Sequence, residues 1–209
     1  GAPAEPLQLD VGTALADHLD NPPTVIGGRY GLGSKEFTPR DVAAVFGELA
    51  TLNAGGRVKR RFTVGITDDV THLSLHTDPG FRLPSRSVEA VFYGLGADGT
   101  VGANKASVKL IGENSDSWVQ GYFVYDSKKS GSTTISHLRF GPERIEAPYL
   151  IEEADFVAVH QFGLLERLPV LDVAKPGATV LLSTPHAADK AWDRLPAAVQ
   201  HTILTKGLQ

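Results

Sequence analysis

Apolar positions along this chain recur with two different periods, and the changes between them mark out its elements. Over residues 39–54, Val42, Val45, Phe46, Leu49 and Leu52 follow helical spacing, which predicts a helix with one buried face. Thr38 is placed to cap it, Pro39 takes its first position and Asp41 sits near the positive end of the dipole. Gly55-Gly56 closes it. Ahead of this helix, residues 1–23 show no sustained period, and Pro22-Pro23 breaks any helix begun over 11–19. A glycine-rich turn, TVIGGRYGLGSKEFTPRD, leads into the helix.

The pattern changes after Arg57. Residues 57–61 (RVKRR) read as a short basic linker, and strands then alternate with helices. Phe62, Val64 and Ile66 alternate as in a half-buried strand, and residues 88–95 form a second strand that runs into glycines. Residues 103–111 suit a helix, with Ala103, Ala106, Ser107, Leu110 and Ile111 on one side. Residues 118–125 and 133–140 read as two strands around the loop DSKKSG, and 155–161 and 178–183 as further short apolar strands. Residues 189–206 are helical, interrupted or restarted at Pro196. This alternation predicts a three-layer α/β domain.

Composition narrows the function classes. A chain of 209 residues with 42% hydrophobic residues describes a soluble globular protein of one domain, or of one domain with a short piece of another. No stretch approaches the roughly eighteen apolar residues of a membrane span. The N-terminal GAPAEPLQ lacks the basic and apolar regions of a signal peptide and reads as a linker, so a cytoplasmic protein without a membrane partner is expected. A net charge of −4 argues against nucleic acid as a partner. The absence of cysteine excludes disulfides, thiolate metal sites and iron–sulfur ligation within this chain.

The candidate chemistry centres on residues 94–105, GLGADGTVGANK. Gly94-Leu95-Gly96-Ala97-Asp98-Gly99 fits GxGxxG between a predicted strand and a predicted helix. Glycines there let backbone approach a phosphate, and the helix N-terminus offers unpaired N–H donors; the same pattern also makes a plain tight turn. Gly102, Asn104 and Lys105 extend it with a further glycine, an amide and a cation. A second basic turn, residues 126–131, carries Ser127, Lys128 and Lys129, and the two turns could face one multiply phosphorylated ligand at the carboxyl ends of neighbouring strands. Solvated lysines are the simpler account of the pair. A P-loop would need a different spacing before its lysine, and a dinucleotide site would use Asp126 on a ribose, later than the usual acid. Both stay open as alternatives.

Other clusters read as structural. His72 and His76 have i, i+4 spacing near Asp68, Asp69 and Asp78, but VTHLSL reads as a strand, where such side chains lie well apart, so no metal site is expected. His137 and His160 fall in strands as core or interface histidines bonded to backbone. The pairs Asp68-Asp69 and Glu152-Glu153 suit caps or solvated turns, and no GxSxG elbow is present. Arg139, in the strand after the basic turn, would add charge to the ligand site, and Trp118 and Trp192 would pack.

YGLGADGTVGANKASVKLIGE, QGYFVYDSKKSG, SHLRFGP and ADFVAVHQ, in this order, resemble the gamma region of pyruvate:ferredoxin (flavodoxin) oxidoreductases of the fused, single-chain type. GRYGLGSKEFTPRDVAAVFGEL resembles the end of the transketolase-C-terminal-like domain that precedes it. The resemblance implies residues 1–56 as the end of that α/β domain with a linker, and 57–209 as a gamma domain with a mixed sheet, truncated at its C-terminus. It implies an enzyme that oxidatively decarboxylates a 2-oxoacid, expected to be pyruvate, to acyl-coenzyme A on thiamine diphosphate with Mg2+. Electrons would pass through 4Fe-4S clusters to ferredoxin or flavodoxin, in a homodimer. Coenzyme A is the ligand expected here, held by Ala97, Asp98, Gly99, Thr100, Val101, Gly102, Ala103, Asn104 and Lys105 with Ser127, Lys128 and Lys129. The other cofactors would be held outside this chain, no residue here would be catalytic, and the isolated piece would be inactive. A structural module joining parts of the same complex, without a ligand of its own, is the alternative.

Overall fold

The computed structural model describes residues 4–125 and 132–209. They divide into two compact units, Gly1–Pro84 and Ser85–Gln209. The expected division between residues 56 and 57 concerns family modules rather than compactness.

In the first unit, helix α1 (Pro6–His18) starts on a proline at its first position and buries no residue. No sustained period marks this helix in the sequence, and it ends at His18, ahead of Pro22-Pro23. Strand β1 (Gly27–Arg29) is followed by a short 3-10 turn (Leu32–Ser34) and helix α2 (Pro39–Asn53). Strand β2 (Arg61–Thr63) pairs in parallel with β1. The entry of α2 is as expected from sequence: the Asp41 carboxylate accepts from the N–H and the hydroxyl of Thr38, each at 2.8 Å. The buried face is different. Phe62, Val64 and Leu75 form the core, and α2 meets it through Ala44 and Val45. Phe46 is 65% exposed and Leu49 also lies outside the core, because this small cluster covers only one narrow side of the helix. Val64, Gly65 and Ile66 do not continue β2, since Gly65 turns the chain at φ +78°.

The segment around His72 is a loop and not the expected strand. His72 itself adopts φ +56°, and the only ladder contact is a bridge between Thr63 and Ser74. Asp69 holds this loop by accepting from the N–H and hydroxyl of Thr71 and from the N–H of Ser74. The bond from Ser74, then those from Thr71, pull its carboxyl down to about 2, and its capping role matches the sequence reading. Among the described residues no group of acids and histidines is arranged for a metal ion.

The second unit is a five-stranded mixed sheet in the order β4-β5-β3-β6-β7. Its strands are β3 (Val88–Leu95), β4 (Trp118–Tyr125), β5 (Thr133–Gly141), β6 (Ala154–Val159) and β7 (Ala174–Leu182). Strand β5 runs antiparallel to both β3 and β4, whereas β3, β6 and β7 are parallel. Strand alternation sends Val91, Val157 and Val159 to one face, where Leu164, Leu165, Val170 and Leu171 complete the core. Helix α4 (Leu164–Arg167) supplies two of these, and helix α6 (Ala197–Lys206) adds Val199 and Ile203. Helix α3 (Thr100–Asn114) covers the opposite face, where Gly121 and Gly112 let Val108 and Val119 close the gap. The result is the three-layer α/β arrangement expected from the pattern.

Helix α5 (Ala188–Arg194) stops at Leu195, and α6 restarts at Pro196, as the proline predicts. Lys206 ties α6 down by donating to the carbonyls of Leu171, Asp172 and Ala174 at 2.8–3.0 Å. Trp118 and Trp192 are both largely exposed rather than packed. Each sits at a margin of the unit, Trp118 at the start of edge strand β4 and Trp192 on α5.

Candidate ligand site

The site grows from the carboxyl end of β3. Gly94 must be glycine because a Cβ there would lie 2.4 Å from the Thr100 hydroxyl and 2.7 Å from its Cβ. That close approach lets the chain double back at once into α3. Ala97 (φ +70°) and Gly99 (φ +88°) both take left-handed backbone to make the turn. Asp98, between them, accepts from the Leu95 N–H at 2.7 Å and the Thr100 N–H at 2.9 Å. Partial burial opposes its charge. The bonds from Leu95 and Thr100, with the nearby His160, outweigh this and hold the carboxyl below the usual range. The helix begins at Thr100, three residues before the expected start, because Asp98 closes its first turn and Gly102 falls inside it.

The strands on either side of the second turn end beside the glycine loop. β4 and β3 are not neighbours as the two-turn reading had it, because β5 lies between them; being antiparallel to both, it places both carboxyl ends at one edge of the sheet. The Gly96 N–H donates to the Ser132 carbonyl at 2.7 Å, joining the glycine loop to the entry of β5. Ser127, Lys128 and Lys129, and Asp126 of the dinucleotide alternative, lie outside the described residues. The residues on either side, Tyr125 and Ser132, do not.

Together these segments enclose a cavity of about 290 Å³ lined by residues 95–99, Val101, Gly102, Tyr125, Ser132 and Thr134. Of the residues expected at the ligand, Ala97, Asp98, Gly99, Val101 and Gly102 are on its wall. Thr100, Ala103, Asn104 and Lys105 are not. Asn104 is buried with no partner for Nδ2, and Lys105 rests 5.4 Å from the centre of the Phe123 ring. Tyr125, Ser132 and Thr134 were missed from sequence. The available signal was the register: Tyr125 pairs with Thr134, which pairs with Gly94, so the three share one face in a row. Thr134 is 3% exposed, and its hydroxyl has no hydrogen-bond partner.

Arg139 does not contribute to this site. It lies six residues along β5 from Thr133, roughly 20 Å towards the other end of the sheet. There its guanidinium donates to Glu89 at 2.9 Å, Gln120 at 3.1 Å and the Tyr149 carbonyl at 2.9 Å. His137 is buried and accepts the Ile151 N–H on Nδ1, a backbone bond of the kind expected for it. His160 follows β6, with its ring stacked 6.3 Å from Phe92.

The family model for pyruvate ferredoxin/flavodoxin oxidoreductase matches residues 89–209. A pyruvate-flavodoxin oxidoreductase of Rhodospirillum rubrum is 57% identical over the whole chain, and a pyruvate:ferredoxin oxidoreductase of Moorella thermoacetica is 51% identical. The chain spans 18% of the length of each of these relatives. The pyruvate oxidoreductase subunit PORC of Thermotoga maritima shares 19% identity over 53% of this chain and 57% of its own, with a TM-score of 0.43. The family match covers the glycine loop, both hairpin strands and the core of the sheet, and this chain belongs to the pyruvate ferredoxin/flavodoxin oxidoreductase family.

Proposed function

We propose that this chain is the coenzyme A-binding part of an enzyme that oxidatively decarboxylates pyruvate to acetyl-coenzyme A and delivers electrons to ferredoxin or flavodoxin. The observation that carries the reading is the meeting of the glycine loop with the ends of the β4–β5 hairpin at one cavity, in a member of this family. Within residues 97–105, Ala97, Asp98, Gly99, Val101 and Gly102 supply the binding surface, and Ser127-Lys128-Lys129 are assigned to the same ligand. Residues 1–56 belong to the end of the preceding domain and 57–209 to the gamma domain, within a cytoplasmic homodimer.

Coenzyme A carries a diphosphate and a 3′-phosphate, which suit a pair of lysine point charges. This chain's role is to bind and orient that co-substrate. Thiamine diphosphate, Mg2+ and 4Fe-4S clusters would be held by other parts of the enzyme, because a chain without cysteine offers no thiolate for a cluster. A second reading, a structural module that joins parts of the enzyme, is favoured by the uncovered apolar side of α2 at Phe46 and Leu49.

Titration of coenzyme A into the full-length enzyme tests the assignment. Lys128→Ala and Lys129→Ala should each weaken binding by on the order of 1–3 kcal/mol, the value of a charge-assisted contact. Unchanged affinity in both variants overturns the phosphate role of that turn.

A further inference from the structure

Gln209 takes part in the sheet of the second unit. β7 is an outer strand, with β6 on one side only. On its other side the Gln209 N–H donates to the Ala178 carbonyl at 3.0 Å, and the Gln209 carbonyl accepts from the Val180 N–H at 2.8 Å. One residue bonded in this way to both neighbours of Thr179 is the unit of a parallel ladder. The route to that position suits it. From Leu182 the chain runs through α5 and α6, more than the roughly dozen residues that a parallel return requires. α6 packs Val199 and Ile203 on the core and ends at Gly207 in left-handed backbone, where the Leu208 N–H bonds the Ile203 carbonyl at 3.0 Å. That cap turns the chain out of the helix and onto the edge of β7.

The edge continues in the same register past Gln209. The Ser183 N–H donates inward to the Val159 carbonyl at 2.9 Å, so by alternation the Val180 carbonyl and the Leu182 N–H point outward, away from β6. Exposed edges usually carry charge, proline or a bulge against pairing. In β7, Lys175, Pro176 and the register shift all come before Thr179. Residues 179–182 hold no charge, and Leu181 is 54% exposed.

We propose that this edge receives a sixth strand, parallel to β7, formed by the polypeptide that follows Gln209 in the full-length enzyme. Relatives of this chain are several times longer than it is, so further polypeptide is at hand. Gln209, seated in the ladder, fixes both direction and register. The second residue beyond it donates to the Val180 carbonyl, and its own carbonyl accepts from the Leu182 N–H. The strand's side chains then cover Leu181 as cross-strand neighbours. This inference does not depend on coenzyme A, so the two readings fail separately.

Amide-resolved hydrogen–deuterium exchange of the full-length enzyme tests this, with Ser183 as the internal reference. The Ser183 N–H is bonded to β6 whether or not the edge is covered. The Leu182 N–H should exchange within about tenfold of Ser183, and at least about a hundredfold slower than an unprotected amide. The second residue beyond Gln209 should be slow as well. Neither rate should change with enzyme concentration, because the strand belongs to the same polypeptide. A Leu182 N–H that exchanges freely beside a protected Ser183 overturns the sixth strand. Protection of Leu182 that grows with enzyme concentration overturns the occupant, since a second copy would then hold the edge. So does a protected Leu182 with free exchange at the second residue beyond Gln209, which would place some other segment there.

Discussion

Gly94 and Gly99 sit five residues apart in one loop, yet they are glycine for different physical reasons. At Gly99 nothing lies within 4 Å of an added Cβ, so Gly99→Ala costs only the left-handed backbone, about 1–2 kcal/mol. At Gly94 the added carbon overlaps Thr100 and must push the first turn of α3 outward, an overpacking cost of about 1–3 kcal/mol. Both variants should unfold at lower denaturant. Only Gly94→Ala should shift the nuclear magnetic resonance signals of Thr100 and Val101 strongly. His137 offers a pH-dependent case. Burial first, and then the positive charge of Arg139, pushes its pKa down to about 4, so it stays neutral in the fold at pH 5 while the unfolded chain protonates. The unfolded state therefore binds the extra proton between about pH 6.5 and 4. Stability from this group is complete above pH 6.5 and is lost as pH falls through that window. Urea denaturation of wild type at pH 7 and pH 5 should show the loss, and His137→Gln should show a smaller difference between the two pH values.

At the level of elements, β3 and β5 are locked at the end away from the cavity by charge as well as by the buried Ala90–Leu138 pair. Arg139 is 3% exposed and bonds Glu89, while Lys175 on β7 reaches Glu89 at 3.8 Å and Asp155 at 2.8 Å. Arg139→Met should cost about 3 kcal/mol, because it removes the nearer partner of the largely buried Glu89 carboxylate and leaves it only Lys175 at 3.8 Å. Adding Glu89→Gln should recover part of that loss, and purely additive losses in the double variant would show that the two groups are not coupled. This network also marks where sequence reading ends. Strands β3, β4 and β5 were legible because each is an uninterrupted run rich in β-branched and aromatic residues. The partner of Arg139 was not, because Glu89 lies fifty residues away and meets it only through the antiparallel register. The same limit hid Tyr125 and Thr134, which no local motif joins to the glycines. The start of α3 was misjudged for a local reason: Thr100, Val101 and Gly102 read as loop, and the bond from the Thr100 N–H to Asp98 that starts the helix there depends on two left-handed residues. The face of α2 failed in the opposite way. Its apolar period was real, but the core it meets is too small to cover Phe46 and Leu49.

Across the whole molecule the two units differ in how much core holds them. Three buried apolar residues, Phe62, Val64 and Leu75, centre the first unit, against eleven in the main cluster of the second. At roughly 1.5–3 kcal/mol for each large side chain removed from water, that difference far exceeds any effect of loop chemistry. Helix α1 adds little to the balance, since it buries none of its residues, and its isolated thirteen-residue length is marginal for a helix in water. Local opening free energies should follow the same division. In hydrogen–deuterium exchange of the 209-residue chain, peptides from β3, β5 and β6 should be the slowest, protected up to the global unfolding free energy. Peptides over residues 6–18 should exchange near the unprotected rate, and those over 39–53 should fall between, held by the capped entry of α2 and by Ala44 and Val45. Equal protection of residues 6–18 and of β3 would mean that α1 is buried in solution, and would overturn the account of the first unit given by its core. Repeating the measurement on the full-length enzyme separates intrinsic from acquired order: if exchange over residues 39–53 slows there while that over β3 does not, the apolar side of α2 at Phe46 and Leu49 is the surface that becomes covered.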